Sequence, residues 1–375
     1  MGILETAGAT FLILIAGRWF DSGPAVKSLL QASGSVGLLL TPLVLEWASR
    51  RAGGAARSAA VLFIIAAAAV VTAALATREH VEIYVAGCML GFVCVAGATP
   101  LFASIYESNY RADRRGDLFS RNVVVRILAS VAFAAAGGAL LKYDIANWRW
   151  ILVAYGLALL GGAACLRHSP PVKVETSAGT HPLRAFAHVK SDKVFRWTLV
   201  SWMLMGFANL AMLALRVDFL ASEKYNLRLD ATTVALLTGI VPNIARLACT
   251  RMWGRLFDRV NFFTLRIVLN AGIMLGIISF FTGAGNVGLY VGAVLFGISI
   301  AGADVAWALW VTKVAPKGLA GEYMTVHTFL TGVRGVIAPF AAFYMAEHFG
   351  IPVTAFAMAG LIVLASLFLV RERRR

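Results

Sequence analysis

The sequence carries little charge for its length. Only 14% of its 375 residues are Asp, Glu, Lys or Arg, whereas an ordinary soluble domain has roughly 25%. A soluble protein of this size needs a far more polar surface. The composition therefore excludes an ordinary soluble globular domain.

Cysteine and histidine are also scarce. The chain has 4 cysteines and 6 histidines without a C-x-x-C pair or a histidine cluster, and we predict free thiols in apolar surroundings. These thiols are Cys88, Cys94, Cys165 and Cys249. Walker A, G-x-S-x-G and H-E-x-x-H sequences are missing. We therefore predict no metal site, no cofactor and no enzymatic activity.

Apolar residues are abundant instead. They make up 59% of the chain, and the mean hydropathy is +0.77. Twelve apolar runs occur, most of them long enough for a transmembrane helix. They cover residues 6–20, 28–45, 58–77, 83–105, 122–141, 148–166, 197–215, 230–250, 267–283, 287–312, 323–346 and 351–370. The pattern predicts an all-α integral membrane protein of about twelve transmembrane helices.

The basic residues between these runs lie mostly on one side of the predicted membrane. Of the 34 Lys and Arg residues, 24 fall on the side of both termini, 8 fall on the other side, and Arg246 and Arg334 lie within predicted helices. This bias predicts cytoplasmic termini in a cytoplasmic (inner) membrane. It also accounts for the net charge of +15 without a nucleic-acid partner. The apolar N-terminus lacks a basic lead, which favours a first span over a cleaved signal peptide.

One polar stretch divides the chain. Residues 167–196 contain three prolines and charges of both signs. We therefore predict a six-helix bundle over 1–168, a cytoplasmic linker over 169–194, and a second six-helix bundle over 195–375. The first uncharged run, from Thr6 to Gly17, is short. Either the first helix is short, or Glu5 lies inside the membrane.

The two halves resemble each other. Residues 83–91, IYVAGCMLG, align with 289–297, LYVGAVLFG, so that Tyr84 falls on Tyr290 and Gly91 on Gly297. The offset of 206 residues indicates a duplicated six-helix unit.

The loop after the eighth run carries a recognisable motif. Its GRLFDR sequence, with Gly254, Leu256, Asp258 and Arg259, resembles the G-x-L-x-D-R signature of the major facilitator superfamily. The corresponding EWASRRAG stretch of the first half keeps Arg51 but lacks the acidic residue. The resemblance implies a secondary active transporter in which Gly254, Asp258, Arg259 and Arg51 form a cytoplasmic gate. Plain positive-inside topology explains the arginines equally well.

Ionisable residues inside the bilayer are the candidates for function, because each costs free energy unless it faces a cavity or a partner. Arg334, in TGVRGVIAP, and Asp304, in AGADVAWALW, lie in neighbouring helices, so an ion pair between them is feasible. Either Asp304 or Glu5 titrates while Arg334 holds an anionic group or tunes the carboxylate, or the charges form a structural ion pair. His327 is a weaker polar candidate. Arg246 is expected to snorkel towards the cytoplasmic interface.

The resemblance further implies that helices 1, 4, 7 and 10 line a central cavity. Carried over by position, this cavity is lined by Glu5, Tyr84, Asn209, Asp304 and Trp307. We predict a proton-coupled, monomeric transporter of a small organic solute, with amphipathic molecules ranked above sugars because the candidates offer few hydrogen bonds. A non-transporting receptor or scaffold with the same fold stays open. A membrane-embedded enzyme is also open, although the cluster of acids and histidines it needs is missing.

Overall fold

All twelve apolar runs form helical segments in the computed structural model, which describes residues 2–51, 53–109, 115–172, 186–283, 285–316 and 320–373. The all-α prediction is confirmed. The segments are α1 (2–18), α2 (24–49), α3 (Gly54–Ala73), α4 (81–109), α5 (Arg115–Tyr143), α6 (Trp148–His168), α7 (Lys193–Ala221), α8 (231–259), α9 (Phe262–Thr282), α10 (Gly285–Leu309), α11 (Ala320–Phe349) and α12 (Ile351–Arg373). Within the described ranges, ten helices are long and apolar enough to span a membrane, and the bent pair in α2 raises the number to 11.

The first segment is helical from its second residue. It consists of Gly2–Thr6, a π-helical turn over Ala7–Phe11, and Leu12–Arg18. Glu5 therefore lies within α1. At about 1.5 Å per residue, residues 2–18 extend about 25 Å, close to the hydrocarbon thickness of about 30 Å.

Proline accounts for two of the helix breaks, because it has no N–H to offer the carbonyl four residues earlier. Pro42 follows the junction of Pro24–Leu39 and Thr41–Ser49, where α2 bends by 46°. In α8, Pro242 removes the helical donor for the Thr238 carbonyl. A π-helical turn occupies Leu236–Ile240, and the Thr238 carbonyl instead accepts a hydrogen bond of 3.3 Å from Nη2 of Arg216.

The chain forms two compact units. Unit 1 comprises Met1–Gly179 together with Leu220–Ala235, and unit 2 comprises Thr180–Phe219 and Leu236–Arg375. Within the predicted linker, a helical turn covers Ala187–Ser191, while residues 173–185 lie outside the described residues.

The same helix pairings recur in both units. In unit 1, α4 packs against α2 and α3, and α3 packs against α6. In unit 2, α10 packs against α8 and α9, and α9 packs against α12. A shift of six helices relates the two sets, as the sequence repeat predicts. The aligned tyrosines differ in environment, however, since Tyr84 is fully buried and Tyr290 is 42% exposed.

The segment Leu220–Ala235 is fixed to unit 1 by polar contacts. Arg18 donates to the Leu229 carbonyl, and Lys142 Nζ lies 3.6 Å from an Asp230 carboxylate oxygen. Asp230 also caps α8, accepting from the backbone of Thr232 at 3.0 Å and from the Thr233 hydroxyl at 2.8 Å. Burial alone raises the pKa of Asp230, but these hydrogen bonds and the Lys142 charge outweigh it and lower the pKa below its usual value.

Candidate functional site

Asp304 pairs with an arginine of α8. Its Oδ2 accepts hydrogen bonds from both Nε and Nη2 of Arg246, each at 2.8 Å. The Arg246 side chain is 18% exposed, and that of Asp304 is 51% exposed. The guanidinium of Arg246 is therefore held by a carboxylate of unit 2, and its snorkelling towards the cytoplasmic interface stays a prediction.

Arg334 turns to α7 and not to Asp304. Its Nη1 donates to the backbone carbonyl of Trp202. Gly206 makes this approach feasible, because a Cβ atom at that position would lie 2.1 Å from Arg334 Cζ. The Asp304–Arg334 ion pair considered from the sequence is thus wrong. The guanidinium instead crosses α7 where the helix has no side chain.

Trp202 connects Arg334 with two further basic residues. The Arg266 guanidinium lies 3.5 Å from the centroid of the Trp202 ring, and the His327 ring lies 5.0 Å from it. Trp310 also packs against this pair, with its ring 5.1 Å from that of His327 and 5.9 Å from that of Trp202. We call Trp202, Arg266, Trp310, His327 and Arg334 the basic cluster. Of these, sequence reasoning identified only His327 and Arg334 as site residues.

The donors of the basic cluster are largely unsatisfied. Arg266 and His327 are fully buried, and the side-chain nitrogens of neither form a hydrogen bond to any residue that the structure describes. The indole nitrogens of Trp202 and Trp310 and the Nε of Arg334 are also without acceptors there. The two arginines and the histidine have no carboxylate partner among these residues. Buried charges in proteins are normally paired, so this cluster lacks the partners that its donors would normally have.

Of the two remaining candidates of unit 2, Trp307 lies near the basic cluster. Trp307 is half-buried, with its ring 6.0 Å from that of His327. Asn209, on α7, is also half-buried. The structure thus groups Trp307, His327 and Arg334, while Asp304 is directed to Arg246.

Unit 1 contains a second intramembrane ion pair. Arg126 of α5 donates to the Glu5 carboxylate, and the Arg126 and Glu5 side chains are 34% and 24% exposed. Neither side chain is fully buried, so protein does not completely enclose this carboxylate.

Tyr84 has a packing role. It is fully buried, its hydroxyl donates to the Leu12 carbonyl at 3.0 Å, and its ring packs against Phe20 and Trp148. The predicted cavity-lining position of Tyr84 is therefore wrong, because the α1 backbone and two aromatic rings enclose the side chain.

The gate motif is described only in part. Gly254 is half-buried near the C-terminal end of α8, and Arg259 is exposed. In unit 1, Arg51 lies over the Trp47 ring at 4.7 Å. The side chain of Asp258 lies outside the described residues, so the charge pair expected within the motif stays a prediction.

Comparisons with known proteins agree on one fold. Residues 2–339 match the family model of the Major Facilitator Superfamily. The chain is similar to a D-xylose-proton symporter (18% identity, TM-score 0.75, covering 98% of this chain and 94% of that chain). It is also similar to the nucleoside transporter NupG (15%, 0.76, 100% and 96%). A third similar structure is a bacterial homologue of the iron transporter ferroportin in an inward-facing state (15%, 0.72, 100% and 96%). No curated protein matches the chain significantly.

Proposed function

Because the chain belongs to the major facilitator superfamily, we propose that it is a proton-coupled transporter of a small organic solute across the cytoplasmic membrane. The fold indicates a secondary transporter that works by alternating access. The proton, the class of solute and the membrane are our proposal. The similarity to a D-xylose-proton symporter is compatible with a proton as the coupling ion.

The observation that carries the proposal is the Asp304–Arg246 pair. A carboxylate within a transmembrane helix persists only with a partner or water. Arg246 is the partner of Asp304, and half of the Asp304 side chain is not covered by protein, which supports access for a proton. A proton arriving on Oδ2 competes with the two N–H groups of Arg246. Binding the proton neutralises Asp304 and frees Arg246, so the ion pair can alternate between two states that a solute gradient and a proton gradient both bias.

The Glu5–Arg126 pair provides a second carboxylate for the same chemistry in unit 1. It is less exposed than Asp304, so we assign the coupling proton to Asp304 and a supporting role to Glu5. The gate of Gly254, Asp258, Arg259 and Arg51 remains part of the proposal as a device that stabilises one conformation.

The distribution of basic residues supports the orientation. The side predicted for both termini holds 24 of the 34 Lys and Arg residues, which supports cytoplasmic termini by the positive-inside rule. We further propose that the functional unit is a monomer, as expected if each chain contains the complete duplicated fold.

Proteoliposomes test the proposal. Vesicles filled with a pH-sensitive dye are exposed to a panel of amphipathic metabolites, organic acids and sugars, and solute-dependent pH changes are recorded. We expect at least one solute to move protons in the wild type, no such movement in Asp304→Asn, and wild-type behaviour in the control Glu347→Gln, which removes an exposed carboxylate.

Two results would contradict the proposal. Solute uptake without proton movement in the wild type would contradict proton coupling. Ligand binding without any flux would instead favour a receptor with a transporter fold.

A further inference from the structure

The basic cluster has the composition of an incomplete binding site. Arg266 is fully buried, and its Nε, Nη1 and Nη2 form no hydrogen bond within the described part of the chain. Leaving a guanidinium buried and unpaired is strongly unfavourable. The stacking of Arg266 on Trp202 offsets part of this cost, but a ring face offers no acceptor for its N–H groups.

The unsatisfied donors converge on one residue. Arg266 lies over the Trp202 ring, Arg334 donates to the Trp202 carbonyl, and His327 packs against the ring edge at an interplanar angle of 67°. The indole N–H of Trp202 is itself buried without an acceptor. Three basic side chains around one tryptophan provide the donor set that an oxyanion requires.

An apolar groove leads to this cluster. Its volume is about 290 Å³, and it lies between α7 and α11. Met203, Phe207, Leu330 and Ile337 contribute apolar walls, and Arg334 is the charged residue in its lining. Arg334 is half-buried. It lines the groove and donates to the Trp202 carbonyl, so it belongs to both the groove and the basic cluster. The volume is at the lower end of the range for small-molecule sites.

We propose that the groove and the basic cluster together bind the carboxylate end of an amphipathic organic anion. The carboxylate is received by Arg334, with Arg266 and His327 behind it, and the apolar body lies against α7 and α11. A planar guanidinium matches a carboxylate in geometry and charge. This inference rests on the proposed function, since it names the substrate class of the transporter.

The site is tested by ligand-dependent thermal stability of the purified full-length protein in an uncharged detergent. The probes are three acids, each matched with its neutral amide: benzoate with benzamide, phenylacetate with phenylacetamide, and hexanoate with hexanamide. Binding to the native state raises the melting temperature by mass action. We expect at least one acid to raise it and its amide to leave it unchanged.

Variants locate the binding. We expect Arg334→Gln to weaken acid binding by at least about tenfold, because a charge-assisted hydrogen bond is lost. Arg251→Gln, which removes an exposed arginine of α8, is the matched control and should bind as the wild type does.

Arg266→Met provides a readout that does not depend on a folding defect. Replacing an unpaired buried charge by an apolar side chain of similar length is neutral or stabilising. We therefore expect Arg266→Met without ligand to melt at or above the wild-type temperature, and yet to lose the response to the acid. A lower melting temperature together with an unchanged acid response would contradict the proposal.

Other outcomes would identify a different ligand or reject the site. Equal shifts from acids and amides, or no shift from any acid, would overturn it. A shift from inorganic phosphate as large as that from the best acid would indicate a free inorganic anion. Displacement of the acid by phosphatidylglycerol but not by phosphate would indicate a lipid headgroup. Either result would overturn the organic anion.

The same protein in vesicles separates this inference from the transport proposal. Acid-selective binding without flux would support the anion site and contradict the transport proposal. Proton-coupled flux of neutral solutes, with no preference for acids, would support the transport proposal and contradict the anion site.

Discussion

The Asp304–Arg246 pair predicts an asymmetric response to mutation. In Asp304→Asn the guanidinium of Arg246, whose side chain is 18% exposed, keeps an oxygen acceptor but loses its countercharge. In Arg246→Gln the carboxylate of Asp304 is 51% exposed, and in the proton-accessible position that our proposal assigns to it, water can hydrate it instead. The loss of the acid should therefore cost more stability than the loss of the base.

The magnitudes follow from burial. Removing one partner of a fully buried pair costs about 3–5 kcal/mol, whereas exposed pairs contribute about 0–1 kcal/mol. This pair is half exposed at one end, so we expect Asp304→Asn to lower the free energy of unfolding by about 2 kcal/mol and Arg246→Gln by about 1 kcal/mol. The double variant should recover part of the loss, with a coupling energy of about 1–2 kcal/mol.

The assay is an SDS unfolding titration in mixed micelles on the four proteins of the double-mutant cycle. Additive effects, within about 0.5 kcal/mol, would refute the interaction. A larger loss in Arg246→Gln than in Asp304→Asn would refute the burial argument. Asp304→Asn should abolish proton movement in the same preparation that retains its fold.

Four further variants probe the rest of the structure. Gly206→Ala should displace the Arg334 guanidinium from α7, lower the free energy of unfolding by about 1–3 kcal/mol and weaken acid binding. The control is Gly161→Ala, where an added Cβ contacts nothing within 4 Å. It should leave the melting temperature unchanged or raise it. Tyr84→Phe should lose one buried hydrogen bond, about 1 kcal/mol, and leave flux unchanged if the residue only packs. The pKa of Asp230 is lower in the folded protein than in the unfolded chain. Its contribution to stability is therefore complete above the usual carboxyl pKa of about 3.9 and is lost as the pH falls through the lowered pKa. Asp230→Asn should remove this acid-sensitive contribution from melting curves recorded between pH 3 and 6.

The fold could be predicted from the sequence because a bilayer imposes it. Runs of apolar residues must become helices to satisfy their backbone, and all twelve do. The duplicated halves were also detectable, since the helix pairings repeat along with the sequence. The breaks in α2 and α8 were not predicted, although Pro42 and Pro242 mark both.

The site was harder to predict because a span predicted from hydropathy ends at the first charged residue, whereas the helix itself continues beyond it. Arg266 directly precedes the apolar run 267–283 and so counted as a loop residue, yet α9 begins at Phe262 and Arg266 is fully buried. Arg216 directly follows the run 197–215, yet α7 continues to Ala221 and Arg216 is 2% exposed. An arginine within one turn of a helix end either reaches the membrane surface, where it marks the topology, or is buried in the protein. The direction of its side chain decides which, and the sequence does not show that direction.

The two proposals together constrain the charge that crosses the membrane. A carboxylate bound at Arg334 carries one negative charge, and a proton on Asp304 carries one positive charge, so their joint movement is electroneutral if one of each is translocated. An elementary charge moving through 100 mV changes its free energy by about 2.3 kcal/mol, which corresponds to roughly fiftyfold in accumulation. Uptake of the acid should therefore respond to a pH gradient and be unaffected by a potassium diffusion potential of the same size. Accumulation driven by the potential alone would mean that the proton and the anion do not move together.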